Sequence, residues 1–322
     1  MRILSGIQPS GTPHIGNYFG YMKPCIDLQD NGEVILMIAD LHALTTVRDP
    51  DLLRKYRQGV ALDLLACGLD PERSTLFFQS DIAAHAELAW ILSCVTPMGL
   101  LERAVSYKDK VQRGLDASVG LFTYPVLQAA DILLYSADTV PVGKDQKQHV
   151  EMARDIAQKF HHTYGEGIFT IPEALIKDDV AVVLGTDGQK MSKSYGNTIP
   201  LFSDEALIKK AIMGIVTDSK GVEEPKDPST STIFQLHALL LSTEDSAALA
   251  AAYRAGGLGY GDAKKKLYDA CMAYFSDMRA KRATLESNTD YVRDVLSKGT
   301  ENARGIAEGM LRAVKRAVGL MS

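Results

Sequence analysis

The chain has 322 residues, 46% of them hydrophobic and 23% charged, with a formal net charge of -5. That apolar content sustains a sizeable core and excludes an intrinsically disordered chain. The acidic balance excludes a wholesale polyanion binder, so any nucleic-acid contact has to be local.

Four cysteines, Cys25, Cys67, Cys94 and Cys271, lie scattered at hydrophobic positions. None forms a C-x-x-C pair, so no zinc or iron–sulfur site is expected, and buried thiols in a reducing compartment fit better. The stretch from Met1 to Gly6 lacks the apolar run of a signal peptide. No segment approaches the roughly 20 apolar residues of a membrane span. A cytoplasmic protein is expected.

Taken in order, Ile3 and Leu4 predict a short buried strand. Ser5 to Pro13 reads as a loop rich in Gly, Pro and Ser, and a helix begins near His14. This strand–loop–helix order opens a nucleotide-binding α/β unit, with free N–H groups at the helix start available to phosphate. Val34 to Ala39 is a continuous apolar run, as in a parallel strand buried on both faces. Asp40-Leu41-His42 follows at its carboxyl end, where ligands collect in open sheets. Asp51 to Cys67 is helical, stopped by Gly68. Thr75 to Gln79 is a third strand. His85 to Cys94 is a helix carrying the single tryptophan, Trp90, expected in the core.

Leu100 to Gly114 is polar and mixed in charge and reads as an exposed insertion. Tyr124 to Tyr135 is helical, Val140 to Gly143 a short strand, and Lys144 to Phe160 an amphipathic helix. Val180 to Leu184 is expected as the last strand, feeding a loop at Lys190. The repeated βα order predicts an α/β fold with a doubly wound parallel, Rossmann-like sheet over residues 1–200.

After Pro200 the periodicity is helical: Leu207 to Ile215, Ile233 to Leu241, Ala263 to Leu285 and a long final run. Residues 201–322 are therefore expected as an all-helical domain, its last helix able to pack back on the α/β part. Gly256 to Gly261 reads as a structural loop, not a phosphate site. From Tyr260 onward there are 12 Lys and Arg against 8 Asp and Glu, leaving -9 on the rest of the chain. A mildly basic helical tail is what local RNA contact would need, while composition alone slightly favours a solvated face.

Two stretches carry candidate chemistry. Lys190-Met191-Ser192-Lys193-Ser194 sets two lysines and two hydroxyls on a loop. Pro9 to Asn17 supplies His14 and Asn17 as donors, and a side-chain-free Gly16 against which a purine could lie. Together they resemble the two nucleotide-binding motifs of class I aminoacyl-tRNA synthetases. Further segments narrow the resemblance to the bacterial tryptophanyl type: Ser5 to Gly11, His14 to Tyr18, Ala39 to Thr45, Thr123 to Pro125, Ala129 to Tyr135 and Val140 to His149.

The resemblance implies a Rossmann catalytic domain, an anticodon-reading helical domain and a homodimer. It implies activation of L-tryptophan by ATP and transfer to tRNA(Trp), with Mg2+ travelling with ATP. Lys190 and Lys193 then serve the β- and γ-phosphates, helped by Ser192, Ser194 and Lys110. Gln8, Pro9, Ser10, His14, Gly16, Asn17 and Met191 line the ATP site, and Gly143, Lys144 and Asp145 lie by the ribose.

An indole has one polar handle, an N–H donor. A carboxylate in an otherwise apolar pocket is its best acceptor, and Asp131 matches the family position for it. Phenylalanine would leave that carboxylate unpaired. Tyr124 and Gln146 match the positions that hold the substrate ammonium. Val140 and Val142 wall the ring, Gln8 adjoins it, and His42 is either close by or a satisfied core histidine.

Leu4 and Gln128 stand where many relatives have phenylalanine and methionine. Gln128 to Asp131 also resembles the tyrosyl enzymes, which stay an alternative. So does a non-charging relative that binds tryptophan or RNA, although its expected mark, loss of Lys190, Lys193 or His14 to Asn17, is missing.

Overall fold

A computed structural model describes residues 1–104, 118–143, 146–176 and 182–322. Its centre is a five-stranded sheet of β1 (Arg2–Ile7), β2 (Glu33–Ile38), β3 (Ser74–Phe78), β4 (Thr139–Pro141) and β5 (Glu173–Leu175). The order is β3-β2-β1-β4-β5 and all neighbours are parallel. The chain runs outward from β1 through β2 to β3, then returns to the other side of β1 as β4. The winding therefore reverses between β1 and β4, which opens a crevice at their carboxyl ends.

The period-2 alternation of β2 splits its side chains between two cores. Ile35 and Met37 join Leu4 and Phe77 on one face. Leu36 and Ile38 join Leu76 on the other. The first face is covered by helices α5 (Ala84–Ser93), α7 (Val119–Leu134) and α8 (Lys147–Tyr164). The second takes the helical segment at Ile15–Asp27, which contains α1 (Ile15–Asn17) and α2 (Lys23–Asp27), together with α4 (Pro50–Ala66). Caps explain where these helices begin. Asp49 accepts from the Asp51 and Leu52 amides ahead of Pro50, and Ser118 accepts from Leu121.

Between them, α3 (Asp40–Ala43) is a single turn after β2, and α6 (Met98–Glu102) precedes the undescribed segment. Downstream come α9 (Glu205–Met213), α10 (Thr232–Ala238), α11 (Thr243–Ala255), α12 (Tyr260–Tyr274), α13 (Ser276–Ser287) and α14 (Thr289–Ala317). On α14, Val292, Val295, Gly299, Ala303, Ala307, Leu311 and Val314 form a buried stripe at spacings of three and four. That stripe lies across β3. A Cβ on Gly299 would fall 1.9 Å from the Leu76 carbonyl oxygen, so only glycine permits this approach. Among the described residues, no helix is long and apolar enough to cross a membrane.

Several expectations are corrected. Strand β1 continues to Ile7, into the expected loop. Trp90 is 72% exposed, because α5 turns Leu88, Ile91 and Leu92 inward instead. Cys94 is exposed, unlike Cys25, Cys67 and Cys271. The expected polar insertion starts with buried Leu100, Leu101 and Ala104; its remainder, with Lys110, lies outside the described residues.

Among the described residues the last strand of the sheet is Glu173–Leu175; Val180 and Ala181 lie outside them. Of the expected Val180–Leu184 strand, the described residues contribute one isolated bridge from Leu184 to Lys190. The expected helix from Ala263 to Leu285 breaks at Phe275, whose ring packs among Tyr18, Phe19 and Tyr274. Helix α11 was not anticipated, and α12 begins at Tyr260, inside the expected glycine loop.

Candidate active site

The loop after β1 serves both sides of the crevice. Gln8 Nε2 donates to the His42 carbonyl at 3.1 Å and to Thr46 Oγ1 at 3.3 Å. The Ser10 amide closes a tight turn onto the Gln8 carbonyl at 2.9 Å, with Pro9 buried. His14 then caps α1 reciprocally: its Nδ1 accepts from the Asn17 amide at 3.2 Å, and its own amide donates to Asn17 Oδ1 at 3.1 Å. An accepting Nδ1 places the imidazole proton on Nε2. Burial, then the positive charge of Lys193, bring the His14 pKa down to about 4. It is a neutral donor at neutral pH, not a cation.

The Lys190 loop packs directly on this motif. The Ile15 amide bonds the Ile199 carbonyl and the Leu201 amide bonds that of Pro13. The Gly16 amide lies 3.3 Å from the Met191 sulfur. A Cβ on Gly16 would meet His14 Nδ1 at 2.9 Å and Met191 Cβ at 3.2 Å, so a larger residue would push the motifs apart. Asn197 braces the loop from inside: it accepts from the Ser192 amide at 2.8 Å and donates to Asp187 and to the Lys190 carbonyl. Ser192 and Ser194 share a hydrogen bond at 2.8 Å. Lys190 and Lys193 both reach solvent, and Lys193 arches over Gly11. Partial desolvation lowers the Lys193 pKa, and the Asp63 carboxylate opposes that shift.

Across the switch point, a cavity of about 370 Å³ lies between β1 and β4, within the size range of small-molecule sites. Its lining brings together Gln8, His42, Tyr124, Asp131, Val140, Val142, Gly143 and Gln146, with Leu4 and Gln128 beside them. Lys144 and Asp145 lie outside the described residues. The sequence reading overlooked Ser5, Tyr21, Met37 and Thr45 on the same walls. Ser5 and Met37 stand on strands, where period 2 decides the facing residues, but nothing in sequence says which face holds a ligand.

Asp131 sits on α7 and is 2% exposed. Its surroundings correct the expectation of a carboxylate among apolar groups. Oδ2 accepts from His42 Nε2 at 2.8 Å, and Oδ1 from His85 Nδ1 at 2.7 Å and Gln79 Nε2 at 2.8 Å. Burial raises the carboxyl pKa, but the hydrogen bonds from His42 and His85 outweigh it and bring the group down to about 2. His42 is therefore a member of the site and a bonded histidine at once. It rides on α3, anchored through Asp40, which accepts from the Ser80 amide at 2.9 Å and pairs with Arg57 at 2.7 Å. Tyr124 Oη pairs with His149 Nε2 at 2.6 Å.

A basic, hydroxyl-bearing loop thus packs against a capped helix start, and the loop from Gln8 to Gly11 links them to a cavity floored by an anionic acceptor. Such a crevice can hold a nucleotide's phosphates beside a compact organic acid with a ring donor. Comparison with known proteins agrees. A family model described as "tRNA synthetases class I (W and Y)" matches residues 1–276. The tryptophan–tRNA ligase of Rhodopirellula baltica is 54% identical over 320 residues, covering 99% of this chain and 100% of that protein. The corresponding ligase of Fusobacterium nucleatum is 52% identical over 99% of this chain and 98% of its own. A crystal structure of tryptophanyl-tRNA synthetase from Campylobacter jejuni, complexed with ADP and tryptophan, superposes with a TM-score of 0.94. It is 48% identical over 99% of this chain and 100% of that one.

Proposed function

The chain belongs to the class I tRNA synthetases of the tryptophan and tyrosine group, and from that premise we infer that it is a tryptophan–tRNA ligase. It joins L-tryptophan to ATP and passes the amino acid to tRNA. In the first step an oxygen of the tryptophan carboxylate attacks the α-phosphorus. The bridging bond to the β-phosphate breaks and pyrophosphate leaves. In the second a ribose hydroxyl of the terminal tRNA nucleotide attacks the activated carbonyl and AMP departs. Neither step needs a covalent enzyme intermediate. The first needs alignment and stabilisation of charge accumulating on pyrophosphate.

The observation that carries this reading is the shared loop from Gln8 to Gly11. At one end it enters the cavity floored by Asp131, and at the other it lies under Lys193. Lys193 and Lys190 act on the β- and γ-phosphates, with Ser192 and Ser194 as further donors and Lys110 joining by family resemblance. Neutral His14 and Asn17 donate to phosphate. Gly16, Met191, Pro9 and Ser10 border the adenosine, and Gly143, Lys144 and Asp145 the ribose. Mg2+ enters as part of the ATP substrate. Asp131 accepts the indole N–H, Val140 and Val142 flank the ring, and Tyr124 and Gln146 hold the ammonium.

Residues 1–200 form the catalytic domain and residues 201–322 the anticodon-binding region. The helices α9 to α13 and the basic balance from Tyr260 onward support this division, while α14 is shared with the sheet. The partner tRNA is tRNA(Trp), and the compartment is the cytoplasm. The working form is a homodimer. Exposed Trp90 and Leu44 border an apolar groove that also includes Ala86, Ala89 and Leu127 and continues to His42 and Tyr124, and a second copy covering it would seal that side of the site. Amino-acid-dependent ATP–pyrophosphate exchange tests the reading. Exchange should depend on tryptophan; exchange with tyrosine alone would overturn it.

A further inference from the structure

Oδ1 of Asp131 takes two hydrogen bonds, from Gln79 and His85, and Oδ2 takes one, from His42. A carboxylate has about four lone-pair sites, so Oδ1 is full and a single position on Oδ2 is open. The two donors on Oδ1 cannot reverse their roles. Gln79 Oε1 accepts the Leu41 amide at 3.1 Å, which turns its NH2 toward Asp131. Tyr135 Oη lies 2.8 Å from His85 Nε2. His85 Nδ1 faces an anion and must carry a proton, so in the neutral ring Nε2 accepts from the tyrosine hydroxyl. Gln79, His85 and Tyr135 are all 0% exposed, so water does not compete.

We propose that this buried chain, Tyr135 to His85 to Asp131, sets the enzyme's choice of ring. His85 is a positioning residue that holds Asp131 as an anionic acceptor with one open lone pair, so that a ring N–H is recognised and a ring without it is not. The inference rests on the reading above that Asp131 faces the amino-acid ring. Without the His85 donor only Gln79 and His42 hold the carboxylate, and a second lone pair opens on Oδ1, so the acceptor no longer offers a single fixed direction.

The test uses the full chain with His85→Leu, His85→Asn and Tyr135→Phe. The readout is kcat/KM in ATP–pyrophosphate exchange for tryptophan and for its benzothiophene isostere, in which sulfur replaces N–H. His85→Leu should reduce the preference for tryptophan about tenfold, the order of one hydrogen bond to a charged group. His85→Asn, whose amide N–H can replace Nδ1–H, should restore most of it, and Tyr135→Phe should give an intermediate loss. A purely structural role would lower both substrates alike; that result, or an unchanged ratio in His85→Leu, overturns the proposal. If His85→Leu does not fold, an unchanged ratio in Tyr135→Phe overturns it equally. Asp131→Asn separates the two levels: if it too leaves the ratio unchanged, the assignment of Asp131 to the ring has failed, and the role of His85 with it.

Discussion

Replacing Lys193 by alanine should abolish most of the activation step while leaving tryptophan binding intact. The ammonium lies over the turn at Gly11, where a Cβ would meet Lys193 Cδ and Nζ at 3.2 Å. That is the phosphate side of the shared loop, and Lys193 is absent from the lining of the cavity around Asp131. A fixed donor aimed at developing charge contributes about 10²–10³ in rate, or about 2.7–4 kcal/mol of barrier. The side chain is exposed, so the fold should lose no more than about 0.5 kcal/mol. Rapid-quench single-turnover formation of tryptophanyl-adenylate measures the chemical step, and equilibrium dialysis measures tryptophan affinity. Single-turnover rates close to wild type would refute the role of Lys193. A large fall in tryptophan affinity would refute the separation of the two sub-sites.

Three further outcomes follow from other parts of the molecule. Gly299→Ala should destabilise by about 1–3 kcal/mol in urea melts, because its Cβ collides with the β3 backbone. Gly305→Ala and Gly309→Ala on the same helix meet nothing within 4 Å and should gain up to about 1 kcal/mol; equal effects at the three sites would contradict the packing of α14. Asp63 pairs with Arg282 at 2.5 Å, but burial outweighs that partner and raises its carboxyl pKa from 3.8 to about 6. A raised folded-state pKa gives stability that is complete below 3.8 and is lost as pH rises through 6, about 3 kcal/mol in all. Asp63→Asn should therefore gain on wild type between pH 4 and 6 and then level off, and a difference independent of pH would contradict it. Asp131, drawn down to about 2, loses its contribution as pH falls from 3.8 through 2, below that window. Finally, wild type should sediment as a dimer at micromolar concentration and Trp90→Asp as a monomer; a monomeric wild type would remove the proposed interface.

The sheet was legible where burial is two-sided. Val34 to Ala39 announces itself as a strand because both faces pack, and the Gly68 stop marks the end of α4. Glu173–Leu175 was not legible, since three residues at a sheet edge carry no period. Val182 and Val183 have strand composition, yet among the described residues only Leu184 pairs, bridging to Lys190 across the turn at Gly185 to Gly188. Trp90 was misjudged because hydrophobicity alone does not say which side of α5 faces the sheet. At the crevice, the motif residues within the described chain fall into two groups, Gln8, His42, Tyr124, Asp131 and Gln146 around the cavity and Gly16 packed on Met191 with Gly11 beneath Lys193. The donors around Asp131 were invisible for a simple reason. Gln79 and His85 lie 52 and 46 positions upstream, and only the packing of β3 and α5 against α7 brings them to one carboxylate. Tyr135 lies on the next turn, but its role needs His85 in place.

The most direct test of the central claim is charging of purified tRNA(Trp) by the purified chain, read as acid-stable label on the tRNA 3′ end. Tryptophan with ATP should yield tryptophanyl-tRNA, with no product from tyrosine and tRNA(Tyr). Robust activation of tryptophan without transfer to tRNA, or charging with tyrosine, would contradict the account.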